Sequence, residues 1–418
     1  MVAGVNSGNL EEQGVAMTLF RELLSKERSP PISQVIAAGV VPKFIEFLSY
    51  HHSPALQSEA VWALAYITTG SSQQIESVVK AGAVSKFVEL LTNPSADVRE
   101  KAVWALGNIA GDNPASRDFV LNCGALPPLF QLLHNPDNTI SMVRNATWTL
   151  SIFCRDGNPP PDWNLVCQAF PTLAVLLYST DETVLADACW AVSFLSEGDN
   201  NKIQAVIESG VVRRIVELLR HSSPSIQTPA LRAVGNIVTG TDAQTQTIIN
   251  AGCLDASSHL LKSPKVGLRK EACWMISNIT AGIQAQIQAV IHANLVLPLI
   301  EILKNDDDFQ IKKEAMWAIV NAISGGNREQ IMYLVECGSI EPLCDLLDCA
   351  DIKIIPVVLE ALENMLNVGK DSANNGKNPV ADLIEEAKGL DKIKEFQQHE
   401  TDNISQKSCN IIDKYFSR

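Results

Sequence analysis

Apolar side chains recur at i, i+3, i+4 and i+7 through VVPKFIEFL (40–48), the spacing that lines one face of a helix. The same amphipathic stretch returns along the whole chain, each time in a fixed setting. A glycine precedes it, as in VVKAGAVSKFVELL and VLNCGALPPLFQLL, and a polar, proline-bearing break such as SPALQ, NPSAD or SPSIQTP follows. A further apolar stretch comes next, and this one carries a tryptophan. Trp62, Trp104, Trp148, Trp190, Trp274 and Trp317 keep one register, about 42–44 residues apart. Arg232, in PALRAVGNIVTG, stands at the midpoint of the one double gap. Gly39, Gly82, Gly124, Gly210, Gly252 and Gly338 repeat out of phase with the tryptophans but at the same period. The pattern predicts three helices per repeat, with the glycine permitting a left-handed turn after a short first helix.

A repeat of this length with two or three helices is the mark of HEAT and armadillo arrays. The expected fold is therefore all-α, a right-handed superhelical armadillo-repeat solenoid of about ten three-helix repeats. Residues 1–418 read as a single armadillo-repeat domain, with irregular capping repeats near 5–45 and 380–418. Neighbouring repeats bury one another's apolar faces, and the third helices line a groove. RDGNPPPDW (155–163) and GKDSANNGKNP (369–379) read as exposed loops within the array, the second as mobile.

On a helix, residues four apart share a face. Trp104 with Asn108, Trp274 with Asn278 and Trp317 with Asn321 are such pairs. An asparagine amide both donates and accepts, so a row of them can grip an extended backbone whatever its sequence. Lysine or arginine stems can pack between successive indoles, each cation–π contact contributing roughly 0.5–2 kcal/mol. Asp112, one turn beyond Asn108, and Glu271 and Glu314, three residues before their tryptophans, are placed to meet the cationic tips. A tryptophan in a solenoid is usually core, but a core has no use for an unpaired amide four residues on.

Charge agrees with that reading. The formal net charge is −14 and the sequence pI about 5.0, a balance that repels nucleic acid and anionic membranes and draws basic partners. No apolar run approaches the roughly 18 residues needed to cross a bilayer. The start, MVAGVNSGNLEEQ, lacks the basic and apolar regions of a secretory signal. Ten scattered cysteines form neither a zinc motif nor a disulfide framework, and Cys189, Cys273 and Cys344 read as small core hydrophobes. A soluble, reducing cytosol or nucleus is the expected setting. No GxSxG elbow, HExxH or phosphate-cradling glycine loop occurs, so no enzyme, metal or cofactor is expected.

AVWALGNIAGD (102–112), RNATWTLS (144–151), LADACWAVSFLSEG (185–198), PALRAVGNIVTGTDAQTQ (229–246), KEACWMISNITAG (270–282) and KEAMWAIVNAISGG (313–326) resemble importin-α, the adaptor that binds nuclear localisation signals. The likeness runs on through GLDKI (389–393) and IIDKYF (411–416). It implies lysine- and arginine-rich signal peptides as partners and shuttling between cytoplasm and nucleus. It also implies two peptide sites. The major site would comprise Trp62, Tyr66, Lys101, Trp104, Asn108, Asp112, Asn145, Trp148, Ile152 and Trp190, with Asp112 receiving the key lysine. The minor site would comprise Arg232, Asn236, Thr245, Glu271, Trp274, Asn278, Glu314, Trp317, Asn321, Glu360 and Asn364. Glu360 and Asn364, in VVLEALENML, also belong to the surface that the likeness assigns to a recycling exportin.

Four positions depart from the family pattern. Tyr66 and Ile152 stand where asparagines are expected, Lys101 where a glutamine is expected, and Ile75 where a threonine would cradle the key lysine. All four fall in the major site, and each lost backbone clamp should cost about 1 kcal/mol of peptide binding. The expectation is a weakened or re-targeted major site beside an intact minor one. The basic arm that joins family members to importin-β is likewise not found in the 418 residues. The alternative is an armadillo scaffold that binds other peptides without a transport role. Such grooves present basic residues to acidic peptides, the reverse of this acid-flanked ladder.

Overall fold

The computed structural model describes residues 1–26, 29–371 and 378–417, so 372–377 of the second expected loop lie outside the described residues. The helices come in the predicted threes. Ser72–Lys80, Ala83–Leu90 and Ala96–Asp112 make one such repeat, and Asp242–Asn250, Cys253–Leu261 and Val266–Thr280 another. No strand occurs among the described residues.

All six laddered glycines adopt positive φ, from +71° at Gly39 to +91° at Gly252. Only glycine takes that backbone freely, which is why the residue recurs between the first and second helices. Where the glycine ladder skips between Gly252 and Gly338, Asn294 makes the same turn at φ +55°, asparagine being among the few other residues that tolerate it. The other skip, between Gly124 and Gly210, has a different solution. The first helix there shrinks to Trp163–Val166 and passes through a 3₁₀ turn, Cys167–Ala169, directly into Phe170–Leu176.

Two compact units make up the chain. The first contains Met1–Glu197 and Glu208–Val211, the second Gly198–Ile207 and Val212–Arg418. In the first unit the tryptophan-bearing helices Pro54–Ile67, Ala96–Asp112, Ile140–Cys154 and Glu182–Leu195 pack each on the next. The Leu10–Lys26 helix closes the near end of this row against Pro54–Ile67. In the second unit Pro224–Ile237, Val266–Thr280, Phe309–Gly325, Ile355–Asp371 and Asp402–Ile411 form the equivalent row. Helices packed in this way lie about 8–10 Å apart, which sets the distance between successive rungs.

The cores are aliphatic and phenylalanine-rich. Phe44, Phe47, Phe87 and Phe153 are wholly buried, each contributing roughly 1.5–3 kcal/mol by leaving water. Cys189, Cys273 and Cys344 are also buried, and burial pushes the Cys344 thiol up to about 12, so these are packing residues.

Buried glutamines tie the first helices of successive repeats together. Gln286 accepts the Ile283 N–H, capping its own helix, and donates to the Asp242 carbonyl of the preceding repeat at 2.8 Å. Gln244 and Gln330 do the same within the second unit, donating to Asn200 and Gln284 at 2.9 Å. Gln74, only half-buried, makes the equivalent pair of bonds in the first, with the Ser33 hydroxyl as its acceptor. The three buried glutamines satisfy polar groups that would otherwise be buried without partners.

Candidate peptide groove

The six laddered tryptophans are all half-buried, and none belongs to either core. What holds an indole in place is a feature the periodicity did not reveal. A Cβ added to Gly107 would stand 2.4 Å from the Trp148 ring, and one on Gly235 equally close to the Trp274 ring. Both glycines sit three residues after a rung, and the next rung's indole lies directly on the bare backbone. The signal was present as a small residue at that offset: Ala65, Gly107, Ser151, Ser193, Gly235 and Ser277.

In the first unit the rungs are unequal. The Trp62 indole N–H donates to Asp97 at 2.6 Å, which fixes the ring plane. Tyr66 fills the space between two rungs, 6.0 Å from Trp62 and edge-on to Trp104 at 5.5 Å. From the other side the Lys101 ammonium lies 3.9 Å from the centre of the Trp62 ring and 5.6 Å from that of Trp104. The Trp62–Trp104 slot is thus occupied by the chain's own aromatic ring and its own cation.

The next rungs are open. Asn108 donates to the Thr68 hydroxyl at 3.1 Å, which orients the amide and leaves its carbonyl oxygen available. Asp112 accepts from Ser72 at 2.5 Å and from the Asn113 amide at 2.8 Å, both neutral donors, so its charge has no internal counter-ion among the described residues. A cleft of about 260 Å³ opens beside it, bordered by Gly111, Ile152, Asp156 and Gly157 and also by Arg117 and Arg155. Ile75 is buried and offers no hydroxyl to that cleft. Ile152 lies over Gly111 and likewise brings no hydrogen-bonding group. Asn145 donates to Glu100 at 2.9 Å. Beyond it Trp190 stacks on Phe194 at 5.8 Å.

One residue of this half escaped the sequence reading. Asp187 precedes Trp190 by three, the offset at which Glu271 and Glu314 were noted, and it has no hydrogen bond or ion pair among the described residues. Burial pushes its carboxyl up to about 6, the behaviour of an acid awaiting a cation.

In the second unit Arg232 reaches over the Trp274 ring at 5.7 Å and pairs with Glu271 at 2.7 Å. The other Glu271 oxygen is buried without a partner. Burial raises the pKa of Glu271, partly opposed by Arg232. Burial also raises Glu314, here opposed by Lys270 and Lys313. Asn278 donates back to the Trp274 carbonyl at 3.1 Å, and Asn321 to the Ser277 carbonyl of the neighbouring helix at 3.0 Å. Neither amide oxygen accepts a hydrogen bond among the described residues. Asn236 and Thr245 present little surface, being 8% and 3% exposed, and the Thr245 hydroxyl donates to the Val238 carbonyl. Further along, Glu360 is held by Lys407 at 2.9 Å, in a cleft shared with Asn364, Glu363, Asn367, Lys414 and Tyr415.

Two half-exposed rows of indoles, amide oxygens and under-neutralised carboxylates can hold an extended basic peptide, one row in each unit. Comparison with known proteins bears on that. Residues 28–69, 71–111, 113–155, 158–196, 199–239, 241–281, 284–324 and 327–366 each match the armadillo/beta-catenin-like repeat, and 378–418 match the atypical armadillo repeat. Importin subunit alpha-4 of Arabidopsis thaliana is 54% identical over 422 residues, which cover 100% of this chain and 78% of that protein. Importin subunit alpha-1b of Oryza sativa subsp. japonica is 54% identical over 420 residues, with the same two coverages. Among solved structures, an engineered protein superimposes with a TM-score of 0.87 at 28% identity, covering 100% of this chain and 98% of that one.

Proposed function

Because the chain belongs to the importin-α family, we propose that it carries cargo whose basic signal engages chiefly the Trp274–Trp317 rungs, the Trp62–Trp104 end being altered. The protein is a nuclear import adaptor that binds nuclear localisation signals. Partnership with importin-β follows from the family in general, and contact between the Glu360–Asn364 surface and a recycling exportin is part of this proposal. So is shuttling between cytoplasm and nucleus. The role is that of an adaptor, and nothing in the groove's use calls for catalysis.

The observation that carries the division of labour is the disposition of charge around the tryptophans. Glu271 and Glu314 lie half-buried beside Trp274 and Trp317, with the Asn278 and Asn321 amide oxygens alongside. A cargo lysine that packs its stem between those indoles places its ammonium where the desolvated Glu314 carboxylate, and the Glu271 oxygen that Arg232 leaves unpaired, gain from it. At the other end a lysine stem meets Tyr66 and Lys101 already in place.

Isothermal titration with a synthetic lysine-run peptide tests the proposal. Trp274→Ala with Trp317→Ala should remove most of the affinity, and Trp62→Ala with Trp104→Ala much less. Full binding in the first double variant would overturn the assignment.

A further inference from the structure

Lys101 and Arg232 are both internal cations laid against a groove tryptophan, but only one is neutralised. Arg232 has Glu271 at 2.7 Å. Lys101 has no carboxylate within ion-pair distance among the described residues; its neighbours on the same helix are engaged elsewhere. Asp97 receives the Trp62 indole N–H and the Ser58 hydroxyl. Glu100 receives the Asn145 amide and the Ser141 hydroxyl. The Lys101 ammonium therefore rests over two rings, half-buried and without a neutralising carboxylate among the described residues.

From this we infer that Lys101 is a specificity-determining residue: the Trp62–Trp104 slot refuses a basic side chain of the bound peptide and accepts an anionic one, carboxylate or phosphorylated. The inference rests on the proposed reading that the groove holds an extended, lysine-rich peptide. A second cation brought between the same two indoles would have to expel Lys101 or stand beside it, and both are unfavourable. An anion at that point pairs with Lys101 without disturbing the ring contact and remains near Tyr66, whose hydroxyl can donate. Neighbouring rungs are about 8–10 Å apart and an extended chain advances about 3.4 Å per residue. The anionic residue should then sit two or three positions from the side chain held at the next rung, between Trp104 and Trp148. The cargo signal is thereby not uniformly basic but a basic run with an acidic or phosphorylated residue at one fixed end.

Fluorescence anisotropy with a labelled lysine-run peptide, and with the set in which each lysine in turn becomes glutamate or phosphoserine, tests this. Each peptide is titrated into the unaltered chain, Lys101→Gln and Lys101→Glu, with and without Trp274→Ala and Trp317→Ala to isolate the first unit. At one position glutamate should bind the unaltered chain about fivefold tighter than lysine, as one well-placed charge pair allows. Lys101→Gln should erase that preference and Lys101→Glu should reverse it. A stronger response to phosphoserine than to glutamate supports the same inference and identifies phosphate as the preferred anion. Lysine favoured at every position, with no change in Lys101→Gln, overturns the inference while leaving the basic-peptide groove standing. No binding of any peptide to any variant would overturn the groove reading, and this inference with it.

Discussion

The Trp62–Trp104 pair in the first unit and the Arg232–Trp274 pair in the second each hold one of the chain's own cations against an indole. At Arg232 the charge is returned to Glu271 within the same unit, and the acids beyond, around Trp317, stay available. At Lys101 no carboxylate answers among the described residues, and Tyr66 fills the slot from the far side. The difference teaches that a ladder of identical rungs does not make identical sites. The residue three positions before each tryptophan differs along the ladder: glutamate at 59, lysine at 101, asparagine at 145, aspartate at 187, and glutamate at 271 and 314.

The largest effects should come from the glycines that seat the indoles. Gly235→Ala forces Trp274 off its backbone seat and should cost about 1–3 kcal/mol of stability. It should also lower lysine-peptide affinity about tenfold, as loss of one well-formed slot implies. Gly107→Ala displaces Trp148 with a similar stability cost, read by urea unfolding, but a smaller loss of binding. Equal binding losses would abolish the asymmetry between the units.

Restoring the missing amides should narrow the gap from the other side. Tyr66→Asn and Ile152→Asn should each raise first-unit affinity about fivefold, the equivalent of about one hydrogen bond. Calorimetry of the two single variants measures this. No gain in either would show that charge and sterics at Lys101, not the lost clamps, set the weakness.

Acidity offers a smaller and more diagnostic contrast. Asp187 is raised in the fold to about 6 from 3.8, so the folded protein favours its protonated form. Stability is therefore fully free of this cost below the unfolded value and declines as pH rises through the window to about 6. Discounted for the part of the group that water reaches, the decline is about 1–2 kcal/mol. A bound lysine favours the ionised form, so first-unit affinity should drop about threefold as pH falls through 6. Asp187→Asn should flatten both profiles, followed by thermal unfolding and anisotropy between pH 4 and 8. An unchanged pH profile in that variant would remove Asp187 from the site.

The smallest effect is expected at Arg232. Its side chain is about half exposed, so its pairing with Glu271 is partly screened. Arg232→Gln should release Glu271 to a cargo lysine and raise second-unit affinity about twofold at low salt. A loss instead would mean that Arg232 supports the Trp274 ring more than it competes for the acid.

Much of this was legible before any coordinates. The tryptophan and glycine ladders located the turns and the groove helices, and positive φ at Gly39 through Gly338 is what the ladder implied. The paired asparagines argued against a core role for Trp104, Trp274 and Trp317, but Trp62, Trp148 and Trp190 are equally half-buried without one. Asp187 could have been found by extending the offset that flagged Glu271 and Glu314, and the small residues after every rung but Trp317 by reading one turn further. Asn294 was harder, because asparagine takes the left-handed turn only where the neighbouring helices demand it.

The amino-acid sequence alone determined the period, the three helices of each repeat, and which residues share a helical face. These are properties of a single helix and its flanking turns, where spacing fixes direction. Only the tertiary structure decided which side chain fills which slot. A slot lies between two helices about 42 residues apart in the chain, and its contents depend on where long, flexible side chains turn. Lys101 could have extended into solvent; packed beside Trp104, its stem instead carries the ammonium onto the Trp62 ring of the preceding repeat.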